Sequence, residues 1–384
     1  MDTKIGILGG GQLGKMLIQS GSRLGLDITL MDKSKDSPGG LVCPSFVTGD
    51  ITDHDDVINF GSAHDVVSIE IERVNTQALT KLEQSSIAVY PQPHLISLIQ
   101  DKGLQKQFYE DHEFASSKFK NYEDVDALLS DIKRGVWSYP FIQKARTGGY
   151  DGRGVQSISS YDELINEGFK TNFLIEEKVD IAKEIALISC RSTTGEIVCY
   201  DPVEMVFDQE QNILSYQQCP ADITAEQLDS IKALAHRLTE KLEIVGLLAI
   251  ELFLSPNGTI LINEVAPRPH NSGHHTIETT MCSQYENHLR AILGMPLGST
   301  EMTYQSILMN LLGEPDEQGP VLYKGLKETL SISGVYPHIY GKTDTKPYRK
   351  MGHVTIVGDN MPDIFAKYEP VSYTHLTLPT KRIV

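Results

Sequence analysis

Along the first hundred positions, apolar residues fall in short blocks separated by stretches with helical spacing. Ile5-Gly-Ile-Leu8 reads as a buried strand, Gly9-Gly-Gly-Gln-Leu-Gly14 as a turn, and the run to Leu24 as an amphipathic helix closed by Gly25. Ile28–Met31, Asp65–Ile71 and Ala88–Tyr90 repeat the strand pattern, with a helix at Thr76–Leu82. This alternation predicts a parallel α/β unit over 1–100. From 101 to 295 the pattern changes. Strands at 141–144, 155–158, 173–177, 184–190, 196–200, 247–254 and 259–264 follow one another across short turns, which predicts an α+β domain with antiparallel sheet. Its longest helix is Ala225–Leu242, begun by a capping box of Thr224 and Gln227. Strands at Ser306–Leu312, Val335–Tyr340 and His353–Val357, with a helix start at Pro362–Tyr368, predict a small closing domain over 296–371. Residues 372–384 are rich in Thr and basic side chains without helical period, and are expected to be a disordered or non-native tail.

Composition narrows the partners. The 384 residues carry 34 basic against 51 acidic side chains, a net charge of −17, which argues against nucleic acid or an anionic membrane. An anionic ligand therefore needs locally concentrated positive charge. No run of about 18 apolar residues predicts a membrane span. Met1-Asp-Thr-Lys runs directly into a strand, so no leader segment is expected. The five cysteines are scattered, without a Cys-x-x-Cys, and are read as reduced thiols of a cytoplasmic protein. Lone Trp137 is expected in a core.

Four segments carry candidate chemistry. Phe141–Val155 is a strand, a glycine-rich loop and a return strand. Its glycines free backbone N–H groups to face an anion, and Lys144, Arg146 and Arg153 add cationic reach, as in a lid over a polyphosphate. No Gly-Lys-Ser/Thr opens a helix there. Gly9-x-Gly11-x-x-Gly14 followed by Asp32 matches a dinucleotide fingerprint, although its physical content is only a helix N-terminus that can receive a phosphate. Nicotinamide or flavin binding is the rival reading, and Asp32 can equally cap a strand end. Glu70 and Glu72 lie on one face at a strand end, either as ligands for an amine or hydroxyl donor or as a solvated end paired with Arg73.

The strongest signal is Leu247–Glu264. Asn257-Gly258 between apolar runs predicts a hairpin. An even loop centred on that pair, of four residues (256–259) to accommodate Pro256, places Glu251 opposite Glu264. Two carboxylates that close repel unless a cation lies between them, and magnesium suits such a pair completed by phosphate oxygens. Beyond them, Ala266-Pro-Arg268-Pro-His270-Asn271-Ser-Gly-His274-His275 offers donors for a small oxyanion. Its histidine spacing does not match a zinc motif.

Together, Gly9–Gly14, Glu70-Ile-Glu72, Lys144 with Arg146–Gly154, Asn263-Glu264 and Ala266–His274 resemble the ATP-grasp superfamily, and within it the N5-carboxyaminoimidazole ribonucleotide synthetase family. The likeness extends to about residue 358. It implies an ATP-grasp fold with an N-terminal Rossmann-like domain, a lid at about 115–180, and a small C-terminal domain. It also implies ATP-dependent carboxylation of aminoimidazole ribonucleotide by bicarbonate in purine synthesis, with magnesium or manganese, in a cytoplasmic homodimer. On the same basis Lys102 and Lys144 contact ATP phosphates beneath a lid of Gly149, Tyr150, Asp151, Gly152, Arg153, Gly154 and Val155. Glu176, Glu177, Lys178 and Val179 line the adenine, and Glu184 holds the ribose. Glu251 and Glu264 hold the metal, assisted by Asn263, while Arg268, His270 and Asn271 sit by bicarbonate and the carboxyphosphate formed from it. Gly11, Gln12, Leu13, Glu72, Tyr150, Asp151, Arg153, Lys342 and Arg349 hold the ribonucleotide, with Asp151 a candidate proton acceptor. The chain departs from the family in three places. Lys102 stands where Arg is common, no histidine lies near Asp208, and the last helix stops at Ser372. A formate-dependent glycinamide ribonucleotide transformylase is the nearest alternative enzyme.

Overall fold

The computed structural model describes residues 2–149, 154–207 and 214–373. Tyr150, Asp151, Gly152, Arg153, Asp208 and the tail from 374 lie outside the described residues. The first hundred residues build β1 (Lys4–Leu8), α1 (Gln12–Arg23), β2 (Asp27–Asp32), β3 (Ser45–Thr48), α2 (His54–Gly61), β4 (Val66–Ile69), α3 (Thr76–Gln84) and β5 (Ala88–Tyr90). The strands lie parallel in the order β3-β2-β1-β4-β5. Leu13, Met16 and Leu17 recur on one side of α1 and pack onto Ile5, Ile7, Ile28 and Leu30. The edge strand β3 escaped the sequence pattern because it is almost wholly exposed and so has no apolar alternation.

Next come α4 (Pro93–Gln100), α5 (Lys102–Asp111), β6 (Phe119–Asp124), α6 (Val125–Lys133), β7 (Phe141–Ala145), β8 (Val155–Ile158), α7 (Tyr161–Asn166) and β9 (Thr171–Glu177). The strands form an antiparallel sheet in the order β6-β9-β7-β8. Trp137 sits in its core, as expected, and donates to the Tyr122 hydroxyl at 2.7 Å. Asp101 caps α5 through the N–H groups of Gly103 and Leu104 and also takes two hydrogen bonds from Arg146. Arg146, expected as a cation of the glycine loop, is instead tethered to that cap.

The remainder forms β10 (Lys183–Arg191), β11 (Ile197–Cys199), β12 (Val203–Phe207), β13 (Leu214–Cys219), α8 (Ala225–Leu242), β14 (Gly246–Leu254), β15 (Ile260–Ala266), α9 (Thr276–Thr279), α10 (Gln284–Ile292), β16 (Gln305–Leu312), β17 (Gly319–Pro320), α11 (Leu326–Leu330), β18 (Val335–Ile339), β19 (Asp344–Thr345), β20 (Lys350–Gly358) and α12 (Met361–Tyr373). Antiparallel pairing gives one sheet, β15-β14-β10-β12-β13-β16-β20-β18, with β11 added to β10. The late strands β16, β18 and β20 therefore continue the same sheet as β10–β15.

The two faces of this sheet differ. On one, Ile231, Ala235, Leu238 and Leu242 of α8 cover Ile185, Leu187, Ile250 and Leu252. Each leucine or isoleucine among them contributes about 1.5–3 kcal/mol of burial. Ile364 and Val371 of α12 cover Ile307 and Ile356 on that face further along. The pairing register places Glu264, Glu251, Glu184, Gln217 and His353 on the opposite face. All five cysteines are free thiols, and four are buried. Among the described residues no helix is long and apolar enough to cross a membrane.

Candidate active site

Glu251 and Glu264 are cross-strand partners, as the hairpin signal predicts, but the chain reaches that pairing by another route. Leu254 pairs with Ile260, which leaves a five-residue loop in place of the expected four; Gly258 lies within it at φ +85°. An odd loop alone would set Asn263 opposite Glu251. A bulge at Asn263 inserts the extra residue and brings Glu264 into place. Such bulges re-aim side chains, and here one turns two carboxylates onto one face.

Their electrostatics are opposed. Burial, followed by the charges of Glu264 and Glu184, pushes the Glu251 carboxyl up to about 8. Burial acts on Glu264 too, but the Lys102 ammonium, paired directly with it, and Lys144 hold that carboxyl below its usual range. The donor set fits a divalent cation completed by phosphate oxygens, because two adjacent carboxylates with a third nearby demand positive charge. Among the described residues no cluster of three or more His, Cys, Asp or Glu forms a ready metal cage.

The lid sheet meets the central sheet at Lys144. From β7 its ammonium reaches Asn263 Oδ1 at 3.1 Å and Glu176 Oε1 at 3.1 Å. Lys106 on α5 approaches the other oxygen of Glu176 at 3.4 Å, and Ser117 donates to that oxygen at 2.7 Å. Burial pushes Glu176 up, but the two ammonium charges overcome it and hold the carboxyl low. Burial and the neighbouring lysines bring Lys106 down to about 8, against the pull of Glu176. The resemblance assigns Glu176 to the adenine, yet its side chain is turned inward onto these lysines; Glu177 and Lys178 are exposed and Val179 is partly so. Lys106 and Ser117 were not foreseen, since isolated Lys and Ser on a polar helix and loop carry no sequence signal.

The loop after β15 is rigidly held. Gln284, fully buried, clamps the His270 backbone with both ends of its amide, accepting from N–H at 3.0 Å and donating to C=O at 2.8 Å. His270 meets Ser272 Oγ at 2.9 Å through Nδ1 and approaches Glu251 at 3.6 Å through Nε2. The Asn271 side-chain oxygen is buried without a partner among the described residues, an acceptor available to a ligand or water. Arg268 pairs with the partly exposed Glu72 at 2.7 Å, so the partner found for Glu72 is Arg268 and not the expected Arg73.

The glycine turn differs from its fingerprint reading. Glu70 accepts the N–H groups of Gly11 at 2.8 Å and Gly14 at 3.0 Å, and Asp32 accepts that of Gly10 at 2.7 Å. Of the turn's N–H groups, those of Gln12 and Leu13 alone meet no acceptor among the described residues, which narrows where a phosphate can sit. Gly9, at φ +107°, has no room for a Cβ, which would lie 2.5 Å from Glu70 Cγ. Lys342 and Arg349 stand on the β18–β20 connection, donating to the carbonyls of Lys350 and Asp344.

Comparison with known proteins bears on this arrangement. Residues 1–100 match the ribonucleotide synthetase preATP-grasp domain, 107–285 the ATP-grasp domain, and 306–367 the phosphoribosylaminoimidazole carboxylase C-terminal domain. The N5-carboxyaminoimidazole ribonucleotide synthase of Aquifex aeolicus is 36% identical, over 96% of this chain and 95% of that protein. This chain belongs to the N5-carboxyaminoimidazole ribonucleotide synthase family. As a family member it is an ATP-grasp enzyme, with the fold the resemblance implied. A phosphoribosylaminoimidazole carboxylase of Candida albicans is 38% identical over 94% of this chain, which spans 65% of that protein's length. The synthetase structure from Thermotoga maritima aligns with a TM-score of 0.89 at 37% identity, covering 97% of this chain and 98% of that one. The synthase from Aspergillus clavatus, in complex with ADP and 5-aminoimidazole ribonucleotide, aligns at 0.87 and 30% identity, covering 97% and 98%.

Proposed function

We propose that this chain is an ATP-dependent carbon–nitrogen ligase that joins bicarbonate to the amine of 5-aminoimidazole ribonucleotide, releasing ADP and phosphate, in purine synthesis. The observation that carries the reading is the Glu251–Glu264 pair set against Lys102 and Lys144 at the junction of two sheets. Bicarbonate is a poor electrophile. Its oxygen attacks the γ-phosphorus, ADP leaves, and the resulting carboxyphosphate presents a carbonyl, or releases CO₂, for the amine to attack. The amine's proton passes to phosphate or to Asp151.

Each side chain has a part in this scheme. Lys102 and Lys144 neutralise the phosphates, and Glu251 and Glu264 hold magnesium or manganese, which when bound supplies further charge neutralisation. Arg268, Asn271 and His270, the last with its backbone clamped by Gln284, orient the small oxyanion. Glu72, Lys342, Arg349 and the free N–H groups of Gln12 and Leu13 suit the ribonucleotide. A glycine-rich lid over residues 149–155 suits an intermediate that water destroys. The same reading divides the chain at about 100 and 295 and carries a cytoplasmic homodimer.

The test is ADP release with magnesium, bicarbonate and aminoimidazole ribonucleotide, each omitted in turn. All three are expected to be required. Turnover that instead needs formate would point to the transformylase. Unchanged turnover in Asp151→Asn would leave phosphate as the proton acceptor.

A further inference from the structure

Three imidazoles stack in a column at the seam between the oxyanion loop and the late strands. His338 on β18 and His353 on β20 are direct cross-strand partners with ring centroids 4.4 Å apart. His274, at the end of the oxyanion loop, lies on the other face of His353 at 4.6 Å. Each ring is held by its edge. Tyr285 meets His274 Nδ1 at 2.6 Å, Tyr340 meets His353 Nδ1 at 3.0 Å, and Glu278 meets His338 Nε2 at 2.7 Å. His353 is fully buried and His274 nearly so. Burial holds both well below the ordinary histidine value, so these two rings pack uncharged.

Two of the three anchors reach into a third part of the molecule. The rings of Tyr285 and Tyr340 lie in the core of the N-terminal sheet, beside α1. Lys15 of α1 donates to the carbonyls of Ile339 at 2.8 Å and Tyr340 at 3.1 Å, where β18 ends. The column thus joins the loop of Arg268, His270 and Asn271 to the connection bearing Lys342 and Arg349, with both referenced to the N-terminal sheet. Flat rings set a thickness, and hydrogen bonds at their edges stop them turning. An aliphatic side chain offers neither constraint.

We propose that this imidazole column is a positioning element, with His353 as its central spacer, that sets the separation of the oxyanion loop from the Lys342–Arg349 connection and so the placement of the ribonucleotide amine. The inference rests on the functional reading above, in which those two segments hold the two halves of the carboxylation site. A positioning role affects the ribonucleotide before it affects ATP, because the ATP-phosphate lysines Lys102 and Lys144 lie outside the column.

The test compares His353→Leu with His353→Phe in the ADP-release assay. The leucine variant is expected to raise KM for aminoimidazole ribonucleotide at least about 10-fold, given how steeply rates fall with misplacement. KM for ATP is expected to stay near wild type, while the melting temperature falls in both variants alike, because each leaves the buried Tyr340 hydroxyl without its partner. The phenylalanine variant, which keeps a flat ring, is expected to recover most of the loss. An unchanged ribonucleotide KM in the leucine variant, or equal rises for ATP and ribonucleotide, would overturn the proposal. If His353→Leu does not fold, His338→Ala at the more exposed end of the column serves instead, with a smaller rise in ribonucleotide KM expected and no rise overturning the role. Wild-type protein lacking ribonucleotide-dependent ADP release would overturn the functional reading itself, and the column's role with it.

Discussion

The molecule uses two carboxylates, the buried Glu70 and the partly buried Glu251, in contrasting ways. In the N-terminal sheet, Glu70 is pushed up by burial, but two backbone N–H groups and the charge of Arg268 work against that shift. In the central sheet, Glu251 is pushed up by burial, and the charges of Glu264 and Glu184 add to the shift. The first carboxylate satisfies the backbone and fixes a turn. The second is held in a place that demands a cation. Where a carboxylate's neighbours are its donors it serves the architecture, and where they are other carboxylates it is set for chemistry.

Substitutions should separate the two. Glu264→Gln is expected to lower ADP-release turnover by roughly 10²–10³-fold, the scale of losing one electrostatic contact to a reacting centre. Its melting temperature should fall only modestly, because the lost pairing with Lys102 is offset in part by relief of the repulsion on Glu251. Glu70→Gln should do the reverse. Its amide nitrogen would face an N–H donor, costing about 1–3 kcal/mol in denaturant unfolding, with turnover of the folded fraction within a few-fold of wild type. Equal effects of the two changes on stability would erase the distinction.

The pH dependence refines it further. Below the ordinary value of 4.5, Glu251 is protonated in folded and unfolded chains alike. Between 4.5 and about 8 the folded protein retains a proton that the unfolded chain has released, so this group's contribution to stability falls as pH rises. Wild type minus Glu251→Gln, measured by denaturant unfolding across that window, should isolate the slope, and magnesium should flatten it at the alkaline end. The smallest effect is expected for Gly258→Ala. With open space around that Cβ, the cost is backbone strain alone, about 1–2 kcal/mol, and turnover should not change.

The sequence disclosed the site better than its supports. The Glu251–Glu264 pairing was legible because strand alternation and Asn257-Gly258 constrain a hairpin, although the five-residue loop and the bulge at Asn263 were not; a bulge adds one residue without changing composition. The capping box at Thr224 and Gln227 was legible because both partners are local, and both reciprocal hydrogen bonds are present. Gln284, Lys106 and the partners of Glu70 were not, because each acts across 14 to 70 residues through a single side chain. The strand β6 was missed because only Tyr122 of its six residues is buried, leaving no period to read.

The central claim is that Glu251 and Glu264 together clasp a divalent ion. Manganese binding followed by electron paramagnetic resonance, in wild type and Glu264→Gln with ADP present, tests it directly. Wild type is expected to bind one ion per chain, and the variant to lose at least about 10-fold in affinity, since half the protein ligand set is gone. Equal binding in the two proteins would contradict the account.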